Sequence, residues 1–522
     1  MDYLPLVLAA VAVFTAFYYY ARRGLDFFKK HDIPHIPPQP LFGNMASFVL
    51  RKDTIAGLVQ KIYNSYTEAK YVGCYEFSNP IVILRDIDLI KSITIKNFET
   101  FIDHRSFANK NQDPLLGGML FSLKGDEWKE SRNQVSPTFT SSKLKAMFTL
   151  MSDVAVYFTD YLYRLPEKER ELELKTLLTK FTNDLISTCV FGIAVNSIEN
   201  PKNTLYVNGM KATNFSGTVQ NLKFQLLRNW PSLAKLLDIK FVSSKLAKYF
   251  ENLIVDNMNQ RDANGIYRPD MLQYLMEASK KNKAERQLTT EDITSHAFSF
   301  FFGGYDTVAS QACLIVHDLV EHPEAQERLQ QEIDQVLEKT NGHVTYEEII
   351  GMEYLDALLN ESMRLHPAAI FLDRVCVKDF ELPPALPGEK PFTLKKGMNV
   401  WIPVHAIQTD PKHFEDPDKF NPERFLQDGK RIASSGTFIP FGMGPRICIG
   451  NRFALLEIKI LLFHLFARCN MVPCSRTNIP FKMAKGVLAI TAANGFWLKV
   501  EPRKHVSSFV NNVAANGTCK TE

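Results

Sequence analysis

A ten-residue segment, residues 441–450, combines residue types that can hold a reactive sulfur beside a flat ligand. Gly444 and Gly450 permit a tight loop that approaches such a ligand closely. Cys448 stands just before a predicted helix, where amide donors and the helix dipole favour the thiolate. Arg446, two residues earlier, can meet an acidic group of a bound cofactor. The segment therefore predicts a thiolate next to a flat, acidic cofactor.

Two other interpretations of this segment are a buried, inert cysteine and a dinucleotide-binding loop. An isolated cysteine in a glycine-rich turn is more often buried and inert. Against this, five specified identities in ten positions are expected by chance on the order of once in ten thousand chains of this length. A dinucleotide-binding loop is excluded, because the pattern G-x-G-x-x-G would need glycine where Ile447 stands.

The spacing of Phe441, Gly444, Arg446, Cys448 and Gly450 resembles the signature of the cytochrome P450 superfamily of haem-thiolate monooxygenases. The exact residues of this motif, and of the segment 301–307, are most similar to those of the microsomal clan three and of its insect branch called family nine. The resemblance implies that Cys448 is the metal ligand of haem b, as the axial thiolate of its iron. Such a thiolate donates electron density and favours cleavage of the O–O bond of the co-substrate O2.

Gly303 and Gly304 stand in the middle of a long apolar helix and cost up to about 2 kcal/mol of helix propensity relative to alanine. They predict a local opening of the helical hydrogen-bond ladder, with close helix packing as the alternative. The segment resembles the oxygen-activation motif of the family. The resemblance implies two catalytic residues: Thr307 would hydrogen-bond the dioxygen or an ordered water, and Asp306 would help to relay protons.

Glu361 and Arg364 lie three residues apart on one face of a predicted helix. A surface ion pair is the alternative interpretation, and Glu167 with Arg170 matches the same spacing by chance. By its position the first pair resembles the Glu-x-x-Arg motif of the family, with Arg424 as third partner. The resemblance implies a buried structural network that braces the haem-binding loop.

The propionates of haem are anionic and are best met by arginine or by an indole N–H. Trp128 and Arg132 are similar to the Trp-x-x-x-Arg helix of the family, in which both side chains reach one propionate. The same role is implied for Arg374 and Arg446, while Arg105 is a candidate for which a surface arginine is the alternative. The full predicted cofactor-binding set is Cys448, Arg446, Trp128, Arg132, Arg374, Phe441, Gly444, Gly450 and Arg105.

Most of the 38 phenylalanines are expected in the core. The resemblance places some of them in a distal substrate pocket, whose predicted residues are Phe298, Phe301, Phe302, Gly303, Ala369, Ile370 and Phe371. A second apolar stretch, residues 224–237, is predicted to dip into a membrane surface and admit lipophilic substrates.

Helical patterning dominates the chain and predicts a mainly α fold with small β-sheets (α+β), which the resemblance specifies as the cytochrome P450 fold with a long central helix over haem. A capping pattern at Thr289 starts that helix, which runs roughly thirty residues to His322. Pro323 starts the next helix, and Thr345 caps another with a break at Gly351.

Two hairpins are predicted from strand patterns on either side of turn residues. In the first, residues 71–75 and 81–84 flank a Ser-Asn-Pro turn. In the second, residues 487–491 and 496–500 flank Asn494 and Gly495, a strong type I′ turn signal.

Nineteen uncharged residues precede Arg22, enough for a helix of about 28 Å that would cross a hydrocarbon core. The positive charges follow this stretch, which favours an uncleaved anchor over a signal peptide and keeps the body cytosolic. The predicted organisation is a transmembrane signal anchor at 3–21, a basic and proline-rich hinge at 22–40, a haem-binding monooxygenase domain at 41–506 and a flexible tail at 507–522. The resemblance implies the endoplasmic reticulum membrane (microsomal).

A formal net charge of +4 argues against a nucleic-acid partner. The eight cysteines are widely spaced and form no C-x-x-C pair, so they are predicted to be reduced thiols. The resemblance implies insertion of one O atom from O2 into small lipophilic compounds, such as plant compounds or insecticides. Electrons would come from NADPH through the NADPH-cytochrome reductase, with cytochrome b5 as a further partner. The predicted docking residues are Lys129, Lys143, Lys145, Arg452 and Lys459.

Three alternative functions stay open at this point. The same chemistry could serve an endogenous lipid, steroid or hormone. The haem could instead catalyse isomerisation without a reductase, against which the presence of both Asp306 and Thr307 argues. A non-catalytic haem sensor is the third.

Overall fold

The computed structural model describes residues 24–106, 108, 110–213, 218–281, 287–504 and 506–510, with single residues between 3 and 22. The predicted anchor at 3–21 and the end of the predicted tail, from residue 511, lie largely outside the described residues. Within the described part of the chain, no helix is long and apolar enough to cross a bilayer. The seven cysteines in that part are free thiols.

The fold is mainly helical. In chain order the helices of the described residues are α1 (Phe27–Lys30), α2 (Ala46–Val49), α3 (Ile55–Asn64), α4 (Ile87–Lys91), α5 (Pro114–Gly117), α6 (Gly125–Val135), α7 (Ser141–Tyr163), α8 (Leu174–Ile186), α9 (Thr204–Thr213), α10 (Thr218–Asn229), α11 (Pro231–Leu236), α12 (Ser244–Asn264), α13 (Met271–Lys281), α14 (Thr290–Glu321), α15 (Pro323–Thr340), α16 (Tyr346–Ile350), α17 (Glu353–Leu365), α18 (Val404–Gln408), α19 (Glu423–Ser435) and α20 (Asn451–Arg468). Short 3₁₀ or π turns join some of them, at Ser92–Lys96, Phe98–Thr100, Ser136–Phe139, Glu167–Glu169 and Ser187–Phe191.

The strands are short and form three small sheets. They are β1 (Tyr71–Glu76), β2 (Asn79–Leu84), β3 (Glu171–Glu173), β4 (Leu372–Val375), β5 (Phe380–Leu382), β6 (Phe392–Leu394), β7 (Asn399–Ile402), β8 (Cys469–Val472) and β9 (Trp497–Pro502). The largest sheet has the order β1-β2-β7-β4, in which only β2 and β7 run parallel. The other sheets have the orders β3-β9-β8 and β5-β6, both antiparallel. The α+β prediction is confirmed.

The long central helix is α14, and its predicted start is confirmed. The Thr289 hydroxyl accepts from the Asp292 amide and the Asp292 carboxylate accepts from the Thr289 amide, which is a capping box. From Ile293 to Val320 nearly every residue is buried, so the helix runs through the core. The predicted starts of α15 at Pro323 and of α16 after Thr345 are also confirmed.

The two central glycines of α14 do not open the helix, contrary to the prediction. The segment is regular α-helix throughout, and the Thr307 hydroxyl donates to the Gly303 carbonyl at 2.5 Å. Gly304 faces α8 so closely that a Cβ there would lie 2.3 Å from Cδ1 of Ile186. A Cβ at Gly303 would meet no described atom within 4 Å. Close packing therefore explains Gly304, but not Gly303.

The predicted hairpin around Asn494 is wrong. Strand β9 pairs with β3 on one side and β8 on the other, so neither edge is open to residues 487–491. That segment pairs instead with residues 482–484: the Ala484 amide donates to the Thr491 carbonyl at 2.8 Å, and Met483 bridges Ala492. The first predicted hairpin is confirmed as β1 and β2.

A fully buried ion pair within α17 contacts the segment that leads to residues 441–450, here called the cysteine loop. Arg364 donates from Nε and Nη2 to the two carboxylate oxygens of Glu361, both at 2.8 Å, and neither side chain is exposed. Arg424 approaches the same carboxylate at 3.4 Å. The pair is therefore internal, unlike a surface i,i+3 pair.

Gln408 carries this network on to the cysteine loop. Its carbonyl accepts from Arg364 Nη1 at 2.9 Å, and its side-chain amide donates back to the Arg364 carbonyl at 3.0 Å. Its side-chain oxygen accepts from the Ile439 amide at 2.8 Å, two residues before Phe441. The ion pair thus fixes the backbone where residues 441–450 begin.

We expect Gly303→Ala to stabilise the protein by up to about 1 kcal/mol, because alanine favours the helix and meets no neighbour. Gly304→Ala should destabilise it by about 1–3 kcal/mol through the clash with Ile186. The free energy of unfolding in urea measures both, and Gly304→Ala with Ile186→Val should recover part of the loss. Equal stability of the two alanine variants would contradict the packing argument.

Arg364→Met should destabilise the fold by about 3–5 kcal/mol, because it leaves the Glu361 carboxylate buried without its cation. Arg431 offers a matched control, since it pairs with Asp428 at the same i,i+3 spacing but with 73% of its side chain exposed. Arg431→Met should cost no more than about 0.5 kcal/mol. Thermal unfolding of the two variants compares them, and equal losses would contradict this assignment.

Candidate cofactor-binding site

The cysteine loop is built on tight turns that lead into α20. Gly444 has a φ of +75°, and a Cβ there would lie 2.1 Å from the Thr94 carbonyl oxygen, so only glycine fits. The Ile447 amide donates to the Gly444 carbonyl at 3.0 Å, and the Cys448 amide donates to the Phe441 carbonyl at 2.9 Å. The loop therefore closes on itself and on the π turn at Ser92–Lys96.

Cys448 is exposed, whereas five of the other described cysteines are buried. It lies three residues before the first residue of α20, close to the position predicted. The surrounding protein raises the pKa of its thiol by burial, while the Gly450 amide and the nearby Arg132 charge act in the opposite direction. The sulfur thus faces an open space but sits within a shell of protein, where a metal ion would favour its thiolate form.

Arg446 belongs to the cysteine loop and contacts an earlier segment of the chain. Its guanidinium donates to the carbonyls of Ile102 and Leu123, both at 2.8 Å, and stacks over the Trp128 ring with 4.0 Å from Cζ to the centroid. Burial, with the nearby charge of Arg374, lowers its pKa to about 9. Arg446 therefore joins the cysteine loop to the segment that contains Ile102 and Leu123.

Arg374 lies on β4 and is 1% exposed. Its Nη1 donates to the Asp373 carbonyl at 2.8 Å and lies 3.2 Å from Nδ1 of His104, while its Nε has no partner among the described residues. Burial lowers its pKa to about 10. An unpartnered buried N–H on a cation is costly, and an anion would satisfy it.

Arg132 lies on α6, one turn after Trp128 on the same face. Burial lowers the pKa of its guanidinium, and the Cys448 sulfur acts in the opposite direction. Arg132 and Arg374 both lower the pKa of Arg446, so three guanidinium groups lie within electrostatic reach of one another. Asp103, 3.8 Å from Arg446, and Asp373 offset part of this positive charge. The positive charge that remains fits a flat dianion with a thiolate ligand, as haem with its two propionates would supply.

Arg105 lies at the edge of this group with other partners. Its Nη1 donates to Glu76 at 2.7 Å and its Nη2 to Asn229 at 2.9 Å, while its amide donates to Asp373 at 3.0 Å. Burial alone would raise the pKa of Asp373, but His104 and Arg228 hold it low. The role of Arg105 at the cofactor stays a prediction.

One face of α14 is open in the middle of the helix. In the fully described stretch from Ile293 to Val320, only Gly303 and Thr307 are exposed, one turn apart on the same face. Asp306, the neighbouring catalytic candidate, has 47% of its side chain exposed and pairs with Lys175 at 2.8 Å. The two candidates are thus accessible, while most of this stretch packs into the core.

Two of the predicted pocket residues have a different role. Phe298 and Phe301 have no exposed surface and pack with Phe191 and Phe250 at ring-centroid distances of 4.9–5.4 Å. They face this aromatic cluster because α14 buries that side against α12 and the Ser187–Phe191 turn, so they are core residues. Ile370 is likewise buried.

The remaining pocket candidates keep some accessible surface. Phe302, Ala369 and Phe371 are half-buried, and Gly303 is exposed. Phe371 stacks on Trp401 with 4.0 Å between the ring centroids. These four residues stay predictions for contact with a substrate.

Three residues at the site were missed by the sequence analysis: Gln408, His104 and Lys175. Each acts through neighbours that are distant in the chain, for example Lys175 with Asp306, so no local pattern marks it. The only weak signal was that His104 adjoins the candidate Arg105.

Comparison with known proteins identifies the family. Residues 34–499 match the family described as Cytochrome P450. The chain is 44% identical over 506 residues to cytochrome P450 9e2 of Blattella germanica. This alignment covers 92% of the chain and 94% of the relative. The chain is also 39% identical over 519 residues to probable cytochrome P450 9f2 of Drosophila melanogaster, in an alignment that covers 96% of the chain and 99% of the relative. The chain therefore belongs to the cytochrome P450 family, as a haem monooxygenase that uses O2 and electrons from a redox partner and is similar to insect family-nine members.

Proposed function

We propose that Cys448 would hold haem b through a thiolate bond to its iron and that Arg132, Arg374 and Arg446 would balance its propionates. The observation that carries this proposal is the cluster of three guanidinium groups, those of Arg374 and Arg446 buried and that of Arg132 half-buried, with the exposed Cys448 within electrostatic reach of Arg132. When bound, the haem iron supplies the activation of O2, which a thiolate ligand promotes. Trp128, stacked on Arg446, holds that guanidinium in place.

The delivery of protons is the role we propose for Thr307 and Asp306. The Thr307 hydroxyl proton is directed at the Gly303 carbonyl, which leaves lone pairs of Oγ1 to accept a hydrogen bond from water. The half-exposed Asp306 carboxylate can exchange protons with solvent. We assign to Asp306 the uptake of protons and to Thr307 their final placement where O2 is reduced.

The substrates we propose are lipophilic foreign compounds, such as plant compounds or insecticides, in a detoxifying role. The likeness to insect relatives supports this role. Exposed apolar side chains on α10 and on or beside α11 support lipophilic entry from a membrane surface; they are Leu222, Trp230, Leu233, Leu236 and Leu237. A screen of candidate compounds by the shift of the haem Soret band tests the substrate class directly.

We further propose that residues 3–21 anchor the protein in the endoplasmic reticulum membrane, with 22–40 as hinge, 41–506 as the cytosolic haem domain and 507–522 as tail. The nineteen uncharged residues followed by Arg22 and Arg23 support this topology. Electrons would come from NADPH through the membrane-bound reductase, with cytochrome b5 as a second donor.

The basic docking residues need one correction. Lys459 is 3% exposed and pairs with Asp356 at 2.9 Å, so it cannot contact a partner protein. Arg452 is exposed. The lysines at 129, 143 and 145 pair with Glu99, Glu277 and Glu347, but such surface pairs are worth at most about 1 kcal/mol and can exchange for a partner's carboxylates.

Cys448→Ala should abolish the red-shifted band that the reduced protein shows with carbon monoxide when a thiolate ligates the iron. Cys474→Ala is the matched control, because Cys474 is a partly exposed thiol without a role at the site, and it should leave the band unchanged. A band that survives in Cys448→Ala would refute the ligand assignment.

Thr307→Ala should lower the yield of product per NADPH by about tenfold or more and raise peroxide release, because the hydroxyl that positions water for proton delivery is lost. Thr307→Ser keeps the hydroxyl and should retain most of the coupling. Parallel assays of NADPH consumed, product formed and peroxide released measure the effect. Unchanged coupling in the alanine variant would remove Thr307 from the mechanism.

A further inference from the structure

Lys175 is the second residue of α8, and its ammonium group makes three contacts with residues of α14. Its Nζ lies 2.8 Å from Oδ1 of Asp306, 3.0 Å from the Asp306 carbonyl and 2.6 Å from the Ser310 hydroxyl. An ammonium group has three protons, and these three acceptors use them all. Lys175 therefore binds two successive turns of the helix at the position of a proposed catalytic residue.

This contact is not needed to hold the two helices together. The Thr182 hydroxyl already donates to the Tyr305 carbonyl at 2.8 Å, and Ile186 packs tightly against Gly304. Lys175 itself has 23% of its side chain exposed, where an ion pair contributes at most about 1 kcal/mol. A role in orientation fits such a contact better than a role in stability.

The carboxylate of Asp306 is the group that the contact orients. Its Oδ1 pairs with the Lys175 ammonium, and its Oδ2 lies 3.5 Å from the Ser310 hydroxyl. A half-exposed aspartate without such a contact would sample several rotamers. Held in one rotamer, the carboxylate keeps a constant position relative to Thr307, the next residue on the helix.

We propose that Lys175 is a positioning residue for proton delivery, because it holds the Asp306 carboxylate in a single orientation from which water carries protons to Thr307. This inference rests on the proposed catalytic role of Asp306. Lys175 itself neither gains nor loses a proton in this role. The gain comes from pre-organisation, since a misplaced proton donor costs rate even when its chemistry is intact.

Lys175→Met should lower the yield of product per NADPH by about threefold to tenfold and raise peroxide release, a smaller loss than removal of the acid itself causes. Lys175→Arg keeps a cation within reach of the carboxylate and should restore at least half of the yield. Lys180→Met is the matched control on the same helix, because the charge of Lys180 acts on Asp184, and it should leave the coupling unchanged. Binding of substrate, followed by the Soret shift, should be unchanged in all three.

A second readout needs no turnover. The infrared C–O stretching band of the reduced carbon monoxide complex responds to polar groups beside the gas, so Lys175→Met should shift or broaden it. In an Asp306→Asn background the same lysine substitution should change nothing further. If Lys175→Met does not fold, as absence of the thiolate band would reveal, Lys175→Gln serves in both experiments.

The outcomes separate this inference from the function on which it rests. If Asp306→Asn impairs coupling but Lys175→Met does not, the positioning role is refuted and the role of Asp306 stands. If Asp306→Asn is without effect, both fail. A band shift that persists in the Asp306→Asn background would also overturn the inference, because the lysine would then act by another route.

Discussion

The fully buried ion pair between Arg364 and Glu361 is the contact on which the position of the cysteine loop depends. Two charges removed from water are tolerated only when their geometry satisfies nearly every donor and acceptor. Here the remaining donors of Arg364 go to the carbonyls of Gln408, Pro417 and Lys419, and Glu361 also accepts from the Asn421 amide. Because each of these partners is a backbone group, the pair fixes the course of the chain between residues 408 and 421.

A second constraint is the positive charge that Arg132, Arg374 and Arg446 bring to the site, with Arg132 acting on Cys448 itself. Three arginines with lowered pKa values are a cost in the folded protein, and the same residues become favourable when an anionic cofactor shares their space. The cysteine loop is otherwise held by its turns and by close packing against the Ser92–Lys96 turn. The arrangement of arginines at this site is therefore explained better by an anionic cofactor than by the stability of the fold.

Local signals predicted a large part of this arrangement. The cap at Thr289, Pro323 at the start of α15 and the β1–β2 hairpin depend on residues that are close in sequence, and each is present. The Asn494–Gly495 signal failed because β9 has two partners, β3 and β8, that lie elsewhere in the chain. Phe298 and Phe301 were misassigned for a related reason: helical spacing tells which residues share a face, but not what covers it. Lys175 and Gln408 could not be found at all, because their partners are 131 and 31 residues away or more.

The hydrogen bonds of Arg446 also constrain the order in which the protein can be completed during synthesis. Its guanidinium donates to the Ile102 carbonyl across 344 residues of chain. At the usual rates of translation, the ribosome needs roughly 20 to 70 s to add a stretch of that length. Throughout this interval the segment around Ile102 exists without its partner, and the cysteine that would bind the cofactor has not been made. A cofactor bound through this cysteine therefore cannot guide the folding of the amino-terminal half while that half is being synthesised.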